Sequence, residues 1–391
     1  MSNKQPFFRP PGLLVGIILV ASTLRPTITS VGPLIPMIRS DLGLSNGLAG
    51  FLTTLPLITF ATFSLFSASI GRFLGYARAI LVGMVLLAIG LMIRVLGGSF
   101  LLFLGTGLTG VGIVICNVLL IPLVKVRMPG KVGKITGVYA TVMTMVAAIA
   151  SAVTVPLAVD LGLNWRGSLL FWIVLLIIAI ICWIPQVMPD KTSRADDTTV
   201  HPVNVWKSKL AWQVSLFMGV QSLLFFTLVA WLPDLFISRG VSPINAGFIM
   251  SLMQLSALIG TFLAPIIAVK FNEQSHMILG LAACYLLGYG SLFSGDLLWN
   301  ISGICLAGLC MGASLSMAYT LISLRSGDDR TTAALSGMAQ STGYYLAALG
   351  PVLFGMALDR WQNWDHLIYL LLITSLFFAG FGYFAGKNRV V

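Results

Sequence analysis

Apolar runs of about twenty residues recur along this chain, separated by short segments rich in Gly, Pro, Asn and Lys or Arg. None alternates with a period of two, and each is far longer than a strand, so the pattern predicts helices that satisfy their own backbone in lipid. Twelve spans are expected: 12–37, 47–69, 79–97, 100–124, 135–159, 167–188, 210–236, 243–269, 277–295, 298–324, 331–357 and 365–386. At 1.5 Å per residue, the first of these reaches roughly 39 Å, enough to cross a bilayer with some tilt. The fold class read from the pattern is an all-α integral membrane protein.

Composition sharpens this. Of 391 residues, 58% are hydrophobic and only 9% are charged, too few charges to cover a soluble surface of that size. The net charge of +11 would suit a nucleic-acid binder, but the basic residues fall in short loops between apolar runs, which excludes that class. With the N-terminus inside, 17 Lys and Arg lie on the cytoplasmic side and four, Arg39, Arg166, Arg239 and Arg360, on the other. That asymmetry predicts that both termini are cytoplasmic. The five cysteines lie inside apolar runs without metal or disulfide spacing and read as packing residues. The first run is too long, and carries Arg25, so it reads as a span rather than a cleavable signal.

The longest polar segment, PDKTSRADDTTVHPVNVWKSK, follows the sixth span. It predicts a cytoplasmic linker over 189–209, dividing a six-helix half at 1–188 from a second at 210–391. The halves repeat one another. DLGLNW (160–165) recurs as DRWQNW (359–364), and GTGLTG (105–110) as GICLAG (303–308). LIPMIRSDLGLSNGLAG (34–50) matches WLPDLFISRGVSPINAG (231–247) in its Pro, Gly, Ser and Ala-Gly. Near-constant offsets in three regions indicate duplication, the organisation of transporters that hold solute between two halves near the midplane.

Several stretches resemble the cyanate porter branch of the major facilitator superfamily, which includes nitroimidazole transporters. They are LRPTITSVGPLIPMIRSDLGLS from Leu24, CNVLLIP from Cys116, WQVSLFMGVQSL from Trp212, AWLPDL from Ala230 and GMAQSTGYYLAALGP from Gly337. The resemblance implies secondary transport of small anionic or small polar solutes by alternating access. One departure stands out: the loop after span two reads SIGRFLGYAR (69–78), keeping Arg72, Gly75 and Arg78 but lacking the aspartate usual in facilitators.

Arg25 lies about halfway along span one, where an arginine costs roughly 2.5–3.5 kcal/mol on insertion scales. All twelve acidic residues fall in loops or at helix ends, so no carboxylate is expected at its depth. Arg25 is therefore the leading substrate-binding candidate, with a helix-locking role through carbonyls freed by Pro26, Pro33 and Pro36 as the alternative. Arg94, nearer the outer end of span three, reads as an interfacial anchor or an accessory attractant for anions. Asn117, Gln221, Gln254, Gln340 and Tyr344 complete the polar set, each open to the plainer reading of interhelical bonding. Gln221 falls within one residue of Arg25's repeat position, and Gln340 and Tyr344 share a helical face. Phe225, with Phe226, Trp231 and Tyr319, could wall a pocket.

No nucleophile, phosphate loop or Cys/His cluster points to an enzyme or a metal, and no cofactor is indicated. The expected partners are a small-molecule solute and membrane lipid, with the chain a monomer. A drug/proton antiporter would want a mid-membrane carboxylate, and a channel-like facilitator sits poorly with a single asymmetric arginine. The reading is a secondary transporter for a small anion or small polar solute.

Overall fold

The computed structural model describes residues 10–128, 131–187, 205–327 and 329–391. Twelve helices among them are long and apolar enough to cross a membrane. Span one comes in three pieces, Pro10–Leu24, Pro26–Thr29 and Val31–Leu42. Spans two to five follow at Asn46–Leu74, Tyr76–Ile93, Ser99–Arg127 and Val132–Val159. Span six is Asn164–Leu170 and Trp172–Trp183, closed by a 3₁₀ turn at Ile184–Val187. The last six are Lys209–Ser238, Pro243–Ala268, Ser275–Gly290, Leu297–Leu324, Asp329–Trp361 and Asp365–Ala385.

The expected spans match these helices to within a few residues. The end of span three bears on a candidate residue: its helix stops at Ile93, and Arg94 is its C-cap rather than an interior residue. Most of the predicted linker, with His201, lies outside the described residues, as do Lys4, Arg9, Lys191 and Arg194. Of its last residues, Val205–Lys207 forms a 3₁₀ turn before Ser208 caps span seven by accepting the Ala211 N–H.

Helix starts follow local chemistry. Ser45, Ser242 and Asp296 each accept backbone N–H groups at the first turn of spans two, eight and ten, which relieves donors the helix itself cannot pair. One apolar core belongs to the first six spans, from Leu13 and Ile17 to Trp183. A second is built mainly from the last six and takes in the far end of span one.

The two sets of spans meet through span two against eleven, five against eight, and the end of span one against seven. The repeated Ala-Gly explains the first two contacts. A Cβ on Gly50 would collide with the Pro351 carbonyl, and one on Gly247 would lie 2.8 Å from the Ser151 carbonyl. The same small residue at equivalent places thus lets two helix pairs approach to backbone contact.

Contact is made on the side away from the chain ends, here the distal side. Asp359 accepts the N–H groups of Asn46 and Gly47 at 2.8 Å each, Thr54 donates to the Ala348 carbonyl at 2.8 Å, and Thr62 pairs with Tyr345. Toward the terminus side, Phe66 and Phe73 of span two are exposed, and a Cβ at Gly137 or Gly337 would find open space. The bonds between spans two and eleven thus run from the distal end to Thr62 and Tyr345.

Candidate functional site

The break in span one presents Arg25. Pro26 has no N–H for the carbonyl one turn earlier, so the ladder is interrupted there. Nearby hydroxyls bond back to carbonyls of the preceding turn: Thr27 donates to Leu24 at 3.1 Å, Thr29 to Arg25 at 3.2 Å and Ser30 to Pro26 at 2.6 Å. The backbone is thereby fixed while the Arg25 side chain is left to the cavity.

Two adjoining cavities meet at Arg25, Phe226 and Tyr344. The first lies between the two sets of spans and is lined by Thr144, Gln221, Ser222, Phe225, Gln254 and Thr261 among others. Measured by the centres of a water-sized sphere, it holds ≈ 60 Å³, several times the roughly 10–15 Å³ that one water needs. The second, ≈ 40 Å³ on the same measure, is lined by Phe60, Asn117 and Met143 of spans two, four and five, among others. This is room for a small solute.

The guanidinium of Arg25 stands over the Phe225 ring, 5.8 Å from its centroid, within the range of a cation–π contact. Among the described residues it has neither ion pair nor hydrogen bond, and no carboxylate lines either cavity. An unpaired cation beside amides and aromatic faces can hold an anion or a strong dipole.

The other candidates divide. Gln221 and Gln254 line the first cavity; Gln221 donates to Ser222 Oγ and Gln254 to Ser151 Oγ of span five, both at 2.6 Å. Gln254 therefore bridges the two sets of spans as well as facing the cavity. Asn117 lines the second cavity, with its oxygen accepting from Tyr139. Tyr344 borders both, packs on Phe60 at 4.6 Å and pairs with Tyr319. Gln340, expected beside it, instead donates to Ser336 one turn away and lines neither cavity. Trp231 is not a wall but a buried brace on the distal side, donating to the Pro351 carbonyl at 2.9 Å.

Arg94 corrects the sequence reading outright. It is 0% exposed and donates to the Thr27 carbonyl at 3.0 Å, so it neither snorkels nor faces outside solution. Depth along a span was legible, but its lateral position, walled in by span one, was not. Tyr139, Thr144, Ser151, Ser222 and Thr261 went unnoticed at the sequence level. Hydroxyl residues are common in membrane helices, and it takes tertiary pairings such as Tyr139–Asn117 and Ser151–Gln254 to mark them out.

Similarity agrees with this geometry. Residues 17–351 match the Major Facilitator Superfamily. An uncharacterized transporter of Bacillus subtilis, YycB, is 42% identical over 97% of this chain and 94% of its own. The 2-nitroimidazole transporter of Escherichia coli is 38% identical over 97% and 96%, and the cyanate transport protein CynX of Escherichia coli 26% over 93% and 95%. Among solved structures, a bacterial homologue of the human lysosomal transporter Spinster superposes with a TM-score of 0.79 at 14% identity, covering 98% of this chain and 97% of that one. A multi-pass chain of twelve spans, matched over most of its length to these transporters, belongs to the Major Facilitator Superfamily and is a membrane transporter rather than an enzyme.

Proposed function

We propose that this chain moves a small anion or a small, strongly dipolar solute across the bacterial inner membrane by alternating access, with Arg25 as the central binding residue. Both termini are cytoplasmic in this reading, which the loop charges support. The observation that carries it is Arg25 itself. It is an intramembrane guanidinium at the junction of two cavities, with an aromatic face beneath it and no carboxylate lining either cavity. Such a charge is costly where it stands, and a solute that neutralises it recovers part of that cost. The relatives named for 2-nitroimidazole and cyanate suggest which solutes to offer first.

The test is ligand-induced thermal stabilisation of the purified chain with cyanate and 2-nitroimidazole. A specific ligand at a hundred times its Kd adds about 2.7 kcal/mol to the native state. Arg25→Ala should remove the shift, and Arg25→Lys should lose most of it, because the planar fork is gone although the charge remains. A wild-type shift that survives in Arg25→Ala would show that the solute does not bind this arginine.

A further inference from the structure

The first six spans also hold a buried cation that the cavities do not use. Arg94, at the end of span three, is wholly buried, and only its Nη1 finds a partner, the Thr27 carbonyl at 3.0 Å. Its Nε and Nη2 meet no acceptor among the described residues, and no ion pair neutralises it there. An apolar side chain of similar volume would fill the same space without desolvating a charge. Packing alone does not account for it.

Its one hydrogen bond is specific in place. Thr27 lies two residues beyond Arg25, in the short helical segment Pro26–Thr29 that begins at the proline break in span one. The same short segment is held from span five: Thr29 Oγ1 reaches the Ala147 carbonyl at 3.3 Å, and Ser151 Oγ reaches the Thr29 carbonyl at 3.5 Å. The segment that carries Arg25 is thus gripped from two neighbouring spans, by a charge on one side and by hydroxyls on the other.

We infer that Arg94 is a positioning residue: by holding the Thr27 carbonyl it fixes the segment 26–29 and so sets where the Arg25 side chain stands in the cavity. The function of that placement rests on the reading of Arg25 as the binding residue. The grip itself does not. A charge-assisted donor is suited to the task because the bonds within the segment are local, reaching back no further than Leu24, and tie it to no neighbouring span.

Two measurements on the full chain test this without any solute. The first is hydrogen exchange of the amides at 28–31, with span four as internal reference. The second is the alkylation rate of Arg25→Cys in a background whose five native cysteines are replaced by serine. Arg94→Met keeps the stem and removes the donors. It should speed exchange at 28–31 by about tenfold or more with span four unchanged, and change the alkylation rate at position 25 by at least about threefold. Arg94→Lys, which keeps a charged donor, should restore part of both. Wild-type exchange at 28–31 in folded Arg94→Met overturns the grip. Faster exchange with an unaltered alkylation rate overturns the positioning of Arg25. Should Arg94→Met not fold, Arg94→Lys is compared with wild type: its single ammonium is a poorer fit than the fork, so exchange should rise by about threefold, and an unchanged rate overturns the proposal. If Arg25→Ala keeps normal solute binding, the binding role fails while these measurements still decide the grip.

Discussion

Arg127 and Arg325 stand 198 positions apart and make the same contact, each donating to the carbonyls that end the last span of its own set of six. Arg127 donates to Gln186 at 3.0 Å, and Arg325 to Ala385 at 3.1 Å and Gly386 at 2.8 Å. The last carbonyls of a helix lack intrahelical partners, and a cation there both satisfies them and complements the dipole. In the second set the clasp is extended: Arg325 also bonds the Gln274 side chain, and the backbone N–H groups of Gln274 and Val391 reach Gly386 and Arg325. Span ten, the loop before span nine and the chain end are tied to one buried guanidinium.

Arg325→Ala should therefore be among the more destabilising substitutions on the terminus side. It removes the donor to the Ala385 carbonyl and the Gln274 amide oxygen, each costing about 1–3 kcal/mol when left unpaired, less whatever water repairs, while the Gly386 carbonyl keeps the Gln274 N–H. The expected result is a clear fall in the midpoint of thermal unfolding of the purified protein, partly recovered by Arg325→Lys. A midpoint within a degree of wild type would mean the clasp carries no stability.

Arg25 should behave in the opposite way. Its guanidinium has a ring contact but no ion pair or hydrogen bond among the described residues, so its removal breaks little and relieves an intramembrane charge. Arg25→Met is expected to raise the unfolding midpoint while abolishing solute-induced stabilisation, the trade expected where a site is kept at the expense of stability. A variant that unfolds at lower temperature than wild type would make Arg25 a structural residue.

The contrast between these arginines shows what the sequence disclosed. The twelve spans were legible because each is a long apolar run, and Arg25 because a charge stands out in such a run. The Ala-Gly repeats at Gly50 and Gly247 were visible as a pattern, but their reason, backbone contact between span pairs, is tertiary. Arg94 was misplaced because hydropathy gives depth along the bilayer normal, whereas its burial comes from neighbours to the side. Gln340 shares a face with Tyr344, yet lies one turn nearer the chain ends and turns back to Ser336. A helical wheel assigns a face, not a height within a cavity.

The distal closure offers a third test. Arg39 of span one and Asp234 of span seven pair at 3.1 Å, with Asn46 also accepting from Arg39. Asp359 of span eleven caps the start of span two. Arg39 is 30% exposed, so the pair is partly screened and worth about 1 kcal/mol. Asp234→Asn should then raise the population opened on the distal face by about fivefold. The readout is labelling of Ala348→Cys, in a background without native cysteines, by a maleimide that does not cross the membrane. An unchanged rate would show that the pair does not hold the face closed.

The last prediction concerns coupling. A facilitator driven by protons commonly uses a carboxylate that titrates within the membrane, beside the solute or the gate. Here the lining of both cavities has none, and the two acids nearest the distal ends of spans one and seven are already engaged. Asp41 accepts from Arg166 at 2.8 Å and from Trp165 at 3.1 Å, and Asp234 pairs with Arg39. Neither acid lines either cavity. Transport is therefore expected to be facilitated diffusion or exchange, or to be coupled only through the solute's own ionisation. Proteoliposomes with an imposed pH gradient decide it, given a transported solute that does not itself titrate in that range. Uptake should equilibrate and go no further. Uphill accumulation that disappears in Asp234→Asn or Asp41→Asn would instead place a proton site at the distal closure.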